Sequence, residues 1–318
     1  MKEKLLLMPK VELHLHLDGS VPIDILEELS GLSKEDIIAK VVSNNDSSLK
    51  KYLEHFDFVN EYLQTKENLE LASFALGQAL EKENVIYAEI RFAPLSHINK
   101  GLKLEEVVDS VLLGLSKCSV KTNLILCMRR GAKEKDNLKV INLANKYLGK
   151  GVVAVDLVGD EENIPFKESE DIFRMCKYAN IPVTIHAGET NKRDIKYVIP
   201  YTKRIGHGIK ISDDEELMDL VKNNDILLEV CPNSNLDTKN IESYTKHPIR
   251  KLYDYGIRVS INTDNRTVSN ITLTEEYFNL VNLLDFTMDD LTTMNLYALD
   301  AAFISNKERS MLRQIILK

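Results

Sequence analysis

The 318-residue chain is 44% hydrophobic and 28% charged, a globular balance that excludes disordered, collagen-like and coiled-coil readings. Its net charge of −8, with no basic run longer than a pair, argues against a sequence-independent grip on nucleic-acid backbone. Four cysteines (Cys118, Cys127, Cys176, Cys231) without CxxC spacing imply no disulfide framework and suit a reducing compartment.

The chain begins with one short apolar run, Leu5–Met8, before Pro9. That run is too short for a signal peptide, and no apolar stretch approaches the ~18 residues of a membrane span. A soluble, cytoplasmic protein is expected. Apolar or β-branched runs then alternate with amphipathic stretches. Strands are predicted to begin near Val11, Val85, Asn123, Val152, Pro182, Arg204, Ile226 and Arg258. Helices are predicted over Lys135–Leu148, Phe166–Ala179 and Asp213–Asn223, the last with Ser212 and Glu215 in capping-box spacing. This alternation predicts an α/β fold, a (β/α)8 TIM barrel in a single domain over residues 1–318. No GxGxxG follows the first strand, which counts against an open doubly wound sheet.

The gap between Val11 and Val85 is much longer than the others. Residues 19–84 are therefore an insertion, with a polar stretch at Val42–Ser48 and a helical pattern over Leu49–Gln64. In that pattern Leu53, Phe56, Val59 and Leu63 share a face. Two readings stay open: packing on the outside of the barrel, or a lid over its mouth.

Chemistry collects at the C-terminal strand ends. Four of the seven histidines lie there: His14 and His16 on strand 1, His186 on strand 5 and His207 on strand 6. In a barrel these ends surround one mouth, where active sites are built. His14 and His16 project to one side by strand parity, half of a zinc site. The flanks Val11, Leu13, Leu15 and Leu17 are expected to face the helices, turning both imidazoles inward. His186 and Asp264 end two further strands and can complete a mononuclear zinc site, one Zn2+ per chain. Such an ion lowers the pKa of a water toward about 7. Glu189, in the turn after Gly188, can reach the same water or substrate. His207, between Gly206 and Gly208, is read as an exposed ring available for proton transfer. His55, His97 and His247 have no matching partners and are read as surface or packing residues. No H-x-E…P-C-x-x-C and no G-x-S-x-G pattern occurs.

Six segments in order resemble the adenosine/AMP deaminase family of metal-dependent barrel hydrolases: KVELHLHLDG (Lys10–Gly19), DLVGDE (Asp156–Glu161), HAGE (His186–Glu189), RIGHG (Arg204–Gly208), EVCP (Glu229–Pro232) and NTD (Asn262–Asp264). The resemblance implies hydrolysis of the 6-amino group of adenosine, and of 2′-deoxyadenosine, to the inosine product and ammonia in purine salvage. It implies zinc on His14, His16, His186 and Asp264. Glu189 would protonate purine N1, and His207 with Asp264 would position and deprotonate the attacking water. Asp18 and His16 would lie near the ribose 5′-hydroxyl, and the Gly159 N–H would meet N3. Many members carry a second aspartate after the last ligand, where this chain has Asn265-Arg266. An asparagine there is expected either to donate to purine N7 or merely to cap the turn.

The expected partner is a small purine nucleoside, with no nucleic acid and no membrane; the oligomeric state is not legible. Rival readings are deamination of adenine, a nucleotide, N6-methyl-AMP or 6-aminodeoxyfutalosine, with Arg129, Arg130 and Arg266 keeping a phosphate site open. Two further classes are a mononuclear hydrolase of amides or esters and a non-catalytic purine-binding protein.

Overall fold

A computed structural model of the chain describes residues 1–43 and 49–318, the side chains at 49–51 and 53 excepted. The polar stretch at 44–48 and the Leu53 side chain lie outside the described residues. The strands are β1 (Lys10–His16), β2 (Val85–Phe92), β3 (Lys121–Arg129), β4 (Val152–Val158), β5 (Ile185–Ala187), β6 (Arg204–His207), β7 (Leu227–Val230) and β8 (Arg258–Ile261). All pair in parallel, β1 to β4 and β5 to β8, each beside the next. Parallel bridges Val155–Val183 and Leu15–Asp264 close the two sheets into a TIM barrel.

The runs are nearly all apolar, as strands buried on both faces require. Leu124, Leu126, Val155, Leu157, Ile205, Leu228 and Val259 join one continuous core with the surrounding helices. Helices Leu104–Leu115, Glu134–Tyr147, Glu170–Tyr178 and Glu215–Asn223 follow strands in the predicted order. Two details differ from the sequence reading. The stretch after Pro165 opens as a short 3₁₀ turn, Phe166–Ser169, before the helix. The next predicted N-cap also moves: Asp214, not Ser212, caps Glu215–Asn223 by accepting from the Leu217 N–H, because Ser212 lies in the preceding 3₁₀ turn.

Strand β1 corrects a larger expectation. Leu15 and Leu17 join the main core, but Val11 and Leu13 do not share their cluster. They pack with Tyr87, Leu227, Leu299 and Ala302 in a separate cluster, where the C-terminal helices Met288–Ala301 and Asn306–Ile316 contribute. A register shift between Glu12 and Leu15 breaks the strict two-residue alternation that the sequence reading assumed. Asn262 holds this irregularity: its Oδ1 accepts from the backbone N–H of Leu13 (2.8 Å) and of His14 (3.1 Å). The side chain of a β8-end residue therefore sets how β1 enters the barrel mouth.

The insertion is helical, with Ile23–Ser30, Lys34–Val41, Leu49–Tyr62 and Lys66–Lys82 before β2. Among the described residues, no helix is long and apolar enough to cross a membrane.

Candidate metal centre and active site

His14, His16, His186 and Asp264 converge from β1, β5 and the β8 end, and their ligand atoms lie within 4.8 Å of one another. Ring centroids are 4.5 Å apart for His14–His186 and 5.4 Å for both His14–His16 and His16–His186. Asp264 Oδ1 stands 3.4 Å from His14 Nε2 and 3.3 Å from His16 Nε2. Such a crowd of imidazoles needs close backbone approach. A Cβ on Gly206 would fall 3.0 Å from His14 Cε1 and 3.3 Å from the His186 ring, so this β6 position suits only glycine.

The tautomers follow from the outer contacts. His14 Nδ1 donates to Glu229 Oε2 at 2.9 Å, and His186 Nδ1 lies 2.9 Å from Asp156 Oδ2. With Nδ1 hydrogen-bonded to a carboxylate in His14 and set against one in His186, each ring can turn its Nε2 lone pair to the centre. His14 Nε2 is buried and without a hydrogen-bond partner among the described residues. Burial also pushes His16 well below the usual imidazole range, opposed by Asp264 and reinforced by His14 and His186. Neutral, inward lone pairs beside a carboxylate suit a divalent transition metal.

Beneath these ligands lies a layer of buried charge. Arg91 donates to Asp156 Oδ2 (2.6 Å) and to Glu229 Oε2 (2.7 Å), while Arg204 donates to Glu229 Oε1 (2.7 Å) and pairs with Glu89. Thr184 Oγ1 also donates to Glu229, at 2.9 Å. Burial alone would raise both carboxyls, yet His186 and Arg91 hold Asp156, and Arg91 and Arg204 hold Glu229, well below the usual carboxylate range.

Above the ligands a cavity of about 410 Å³ is lined by His16, Asp18, Gly159, His186, Glu189, His207, Asp264 and Asn265. Glu161 shapes its rim by accepting from the backbone N–H groups of Gly188 (2.5 Å), Glu189 (2.9 Å) and Thr190 (3.0 Å). Glu189 itself is pushed up to about 8, by burial first and then by Asp264 and Glu161. Its Oε2 lies 3.7 Å from His207 Nε2, which is 3.9 Å from Asp264 Oδ2. Ser234 Oγ donates to that same Asp264 oxygen at 2.6 Å. The arrangement offers a protonated carboxyl, an ionised carboxylate and a ligand cluster around one small volume.

The adenosine deaminase family profile matches residues 9–318. An adenosine deaminase of Clostridium acetobutylicum is 39% identical, covering 96% of each chain. The chain belongs to the adenosine deaminase family. Among solved structures, an Arabidopsis N6-mAMP deaminase superposes with a TM-score of 0.88 at 25% identity, covering 99% of each chain. An amidohydrolase from Burkholderia ambifaria with bound Zn has a TM-score of 0.90 at 20% identity, over 98% of this chain and 90% of that one.

Every site residue read from the sequence lies at this centre, His14 beneath the cavity floor and the others along its wall. Two expectations change. The His207 ring is buried rather than exposed, because Glu189 and the Pro232–Asp237 helix enclose the β6 end. His247 is not a bystander: it is buried and reaches His207 through Asn235. Of the three arginines that kept a phosphate site open, Arg130 is tied to Asp194 and the His186 carbonyl. Arg266 is paired with Glu12 and Glu83, which leaves only Arg129 with an exposed side chain on the cavity wall.

Several contributors were missed. Tyr52, Phe56, Asp57 and Asn60 of helix Leu49–Tyr62 line the cavity, while Val59 is buried in the core. Helical periodicity could not say which neighbour each face would meet. Asn265 Nδ2 donates to Tyr52 Oη at 3.0 Å, and its Oδ1, above Gly19, has no hydrogen-bond partner among the described residues. Asp156 and Glu229 were visible as strand acids, but nothing local marked Arg91 and Arg204 as their partners.

Glu229→Gln should be strongly destabilising, because it strips Arg91 and Arg204 of a shared buried carboxylate. Breaking such a pair costs about 3–5 kcal/mol, readable by denaturant unfolding. An unchanged unfolding midpoint would show that the charged layer does not depend on this carboxylate.

Proposed function

We propose that this chain is a zinc-dependent adenosine deaminase, hydrolysing adenosine and 2′-deoxyadenosine to the inosine product and ammonia. What carries the reading is a carboxyl protonated up to about pH 8, Glu189, in the same cavity as the three-histidine, one-aspartate cluster. Zinc held by His14, His16, His186 and Asp264 would supply a water of lowered pKa, toward about 7. The remaining work falls to the side chains. C6 of the purine resists attack until N1 accepts a proton, and Glu189 is the group that holds one. His207 and Asp264 orient the water, and one group of this pair takes up its proton. Gly159 N–H meets N3, while Asp18 and His16 meet the ribose 5′-hydroxyl. Burial, its largest influence, raises Asp18 to about 6, which suits a carboxyl waiting for a hydroxyl partner.

The chain is read as one domain, 1–318, with residues 19–84 as the helical insertion. Helix Leu49–Tyr62 serves as a lid, since its Tyr52, Phe56 and Asn60 form cavity wall. Closure over the mouth would supply the desolvation that Glu189 needs. Free cysteines throughout suit a cytoplasmic purine-salvage enzyme.

Glu189→Gln should keep metal and substrate binding and lose about 10²–10⁴-fold in turnover, since the amide cannot deliver a proton. In the parent enzyme kcat/KM should fall as pH rises through about 8, because the required form is the protonated one. Activity within a few-fold of the parent in Glu189→Gln would remove this residue from the acid role.

Elemental analysis should find one zinc per chain, and His14→Ala should lose both metal and turnover. A His14→Ala protein with full zinc and normal activity would remove the ligand set.

Asn265 is assigned to the N7 edge, as a donor at every pH. Replacing N7 by CH should lower kcat/KM by the equivalent of about 1–3 kcal/mol, the cost of a stranded buried donor. Asn265→Ala should shrink the preference for adenosine over 7-deazaadenosine, because both changes delete one interaction. An unchanged ratio would leave Asn265 only a turn-forming role.

A further inference from the structure

The ring of His207 is the end of a buried hydrogen-bond chain that leaves the cavity. Its Nδ1 lies 3.1 Å from Asn235 Nδ2; Asn235 Oδ1 lies 3.2 Å from His247 Nε2; and His247 Nδ1 accepts from the Ile249 backbone N–H at 3.0 Å. All three side chains are buried. The direction of this chain follows from its far end. A backbone amide can only donate, so His247 Nδ1 must be the unprotonated nitrogen. The imidazole proton then sits on Nε2 and points at Asn235, whose oxygen must face it. The Asn235 amide is thereby turned so that its NH2 donates to His207 Nδ1. Reversing the amide would place a donor against His247 Nε2 while Ile249 donates to Nδ1, and a protonated imidazole nitrogen would have no acceptor.

We propose that His247 and Asn235 are positioning residues that fix His207 as the neutral tautomer with its proton on Nε2. The proposal rests on the deaminase reading only for its catalytic consequence. The His207 Nε2–H is aimed at Glu189 Oε2 and Asp264 Oδ2, so His207 holds the attacking water as a donor. It has no lone pair on that side with which to take the proton, and the base role falls to Asp264. The same proton decides between two possible ligand sets. His14, His207, Cys231 and Asp264 also converge closely enough to hold a metal, but His207 Nε2–H cannot ligate. His16 and His186 remain. Burial pushes His247 down to about 3, so that ring is neutral, and a His207 Nδ1 that accepts from the Asn235 amide leaves its ring a single proton.

Histidine-selective 15N labelling of the zinc-loaded protein reads the tautomer directly through two-bond 15N–1H correlations. The chain has seven histidines, and the His207 signals are those that vanish in His207→Gln. The expected result is a single neutral His207 tautomer with the proton on Nε2. Asn235→Asp replaces the donor by an acceptor and should move the proton to Nδ1. His247→Leu should release Asn235 and give mixed tautomers, whereas His247→Gln, which still donates to Asn235 Oδ1, should restore the parent spectrum. Turnover should follow the spectra, with kcat falling about 10–100-fold in Asn235→Asp and His247→Leu while KM changes little. A parent His207 protonated on Nδ1 overturns the proposal. So does an unaltered Nε2–H tautomer in both Asn235→Asp and His247→Leu. The spectra decide this even if the parent protein fails to deaminate adenosine, an outcome that counts against the function alone.

Discussion

Two arginines and three carboxylates with almost no access to water underlie everything at the barrel mouth. Arg91 and Arg204 cross the interior at the level where most barrels stack aliphatic side chains, and Asp156, Glu229 and Glu89 neutralise them. A layer of this kind is costly to desolvate and is weak evidence of stability. What it provides is orientation. Glu229 and Asp156 are pinned from below by guanidinium forks, and each presents its remaining capacity upward to one histidine Nδ1. The imidazoles therefore stand with fixed tautomers and free Nε2 lone pairs before any metal arrives.

The backbone makes a matching concession. His207 and Asp264 both occupy the left-handed region, at φ 64° and 61°, which residues with a Cβ rarely adopt. Such conformations persist where the surroundings over-determine them and collect at functional sites. At Asp264 the turn is held by mutual backbone bonds with β1, His16 N–H to Asp264 O (2.7 Å) and Asp264 N–H to His14 O (3.0 Å). Barrel closure and the ligand cluster are thus the same set of contacts. The strand that completes the cylinder delivers the carboxylate, and Asn262 two residues earlier steers β1 so that its histidines meet it.

Glu189 and Asp264 show how one cavity holds two carboxyls in opposite protonation states. Both are buried carboxyls. Glu189 faces Asp264 and Glu161, which raise it, and accepts from Asn240 Nδ2 at 3.2 Å. Asp264 sits instead among histidines and the Ser234 hydroxyl. The separation of roles comes from neighbours contributed by different loops, and no feature of either residue's own segment encodes it.

Much of the fold was legible in the sequence because its period is local. Each βα unit writes an apolar run and then an amphipathic stretch, and the strand starts near Val85, Val152, Arg204 and Arg258 coincide with the observed ones. The convergence of the strand-end polar side chains on one cavity was legible too, since such side chains at C-terminal strand ends have few structural uses. Where inference from period went wrong, a non-local contact was responsible. Strict alternation put Val11, Leu13, Leu15 and Leu17 on one side, but Val11 and Leu13 join a separate cluster, and the Asn262 side chain, distant in sequence, bonds the backbone at the register shift between Glu12 and Leu15. Histidine His247 looked idle because its partner His207 lies on another strand loop and the link runs through Asn235. The sequence by itself determined the barrel and the polar side chains that its strand ends bring to one mouth, all of which follow from residue type at a fixed place in a repeating unit. Only the tertiary structure decided which carboxylate holds which imidazole, which nitrogen bears the proton and which insertion helix walls the cavity. Those are contacts between segments that the chain brings together only when the barrel closes.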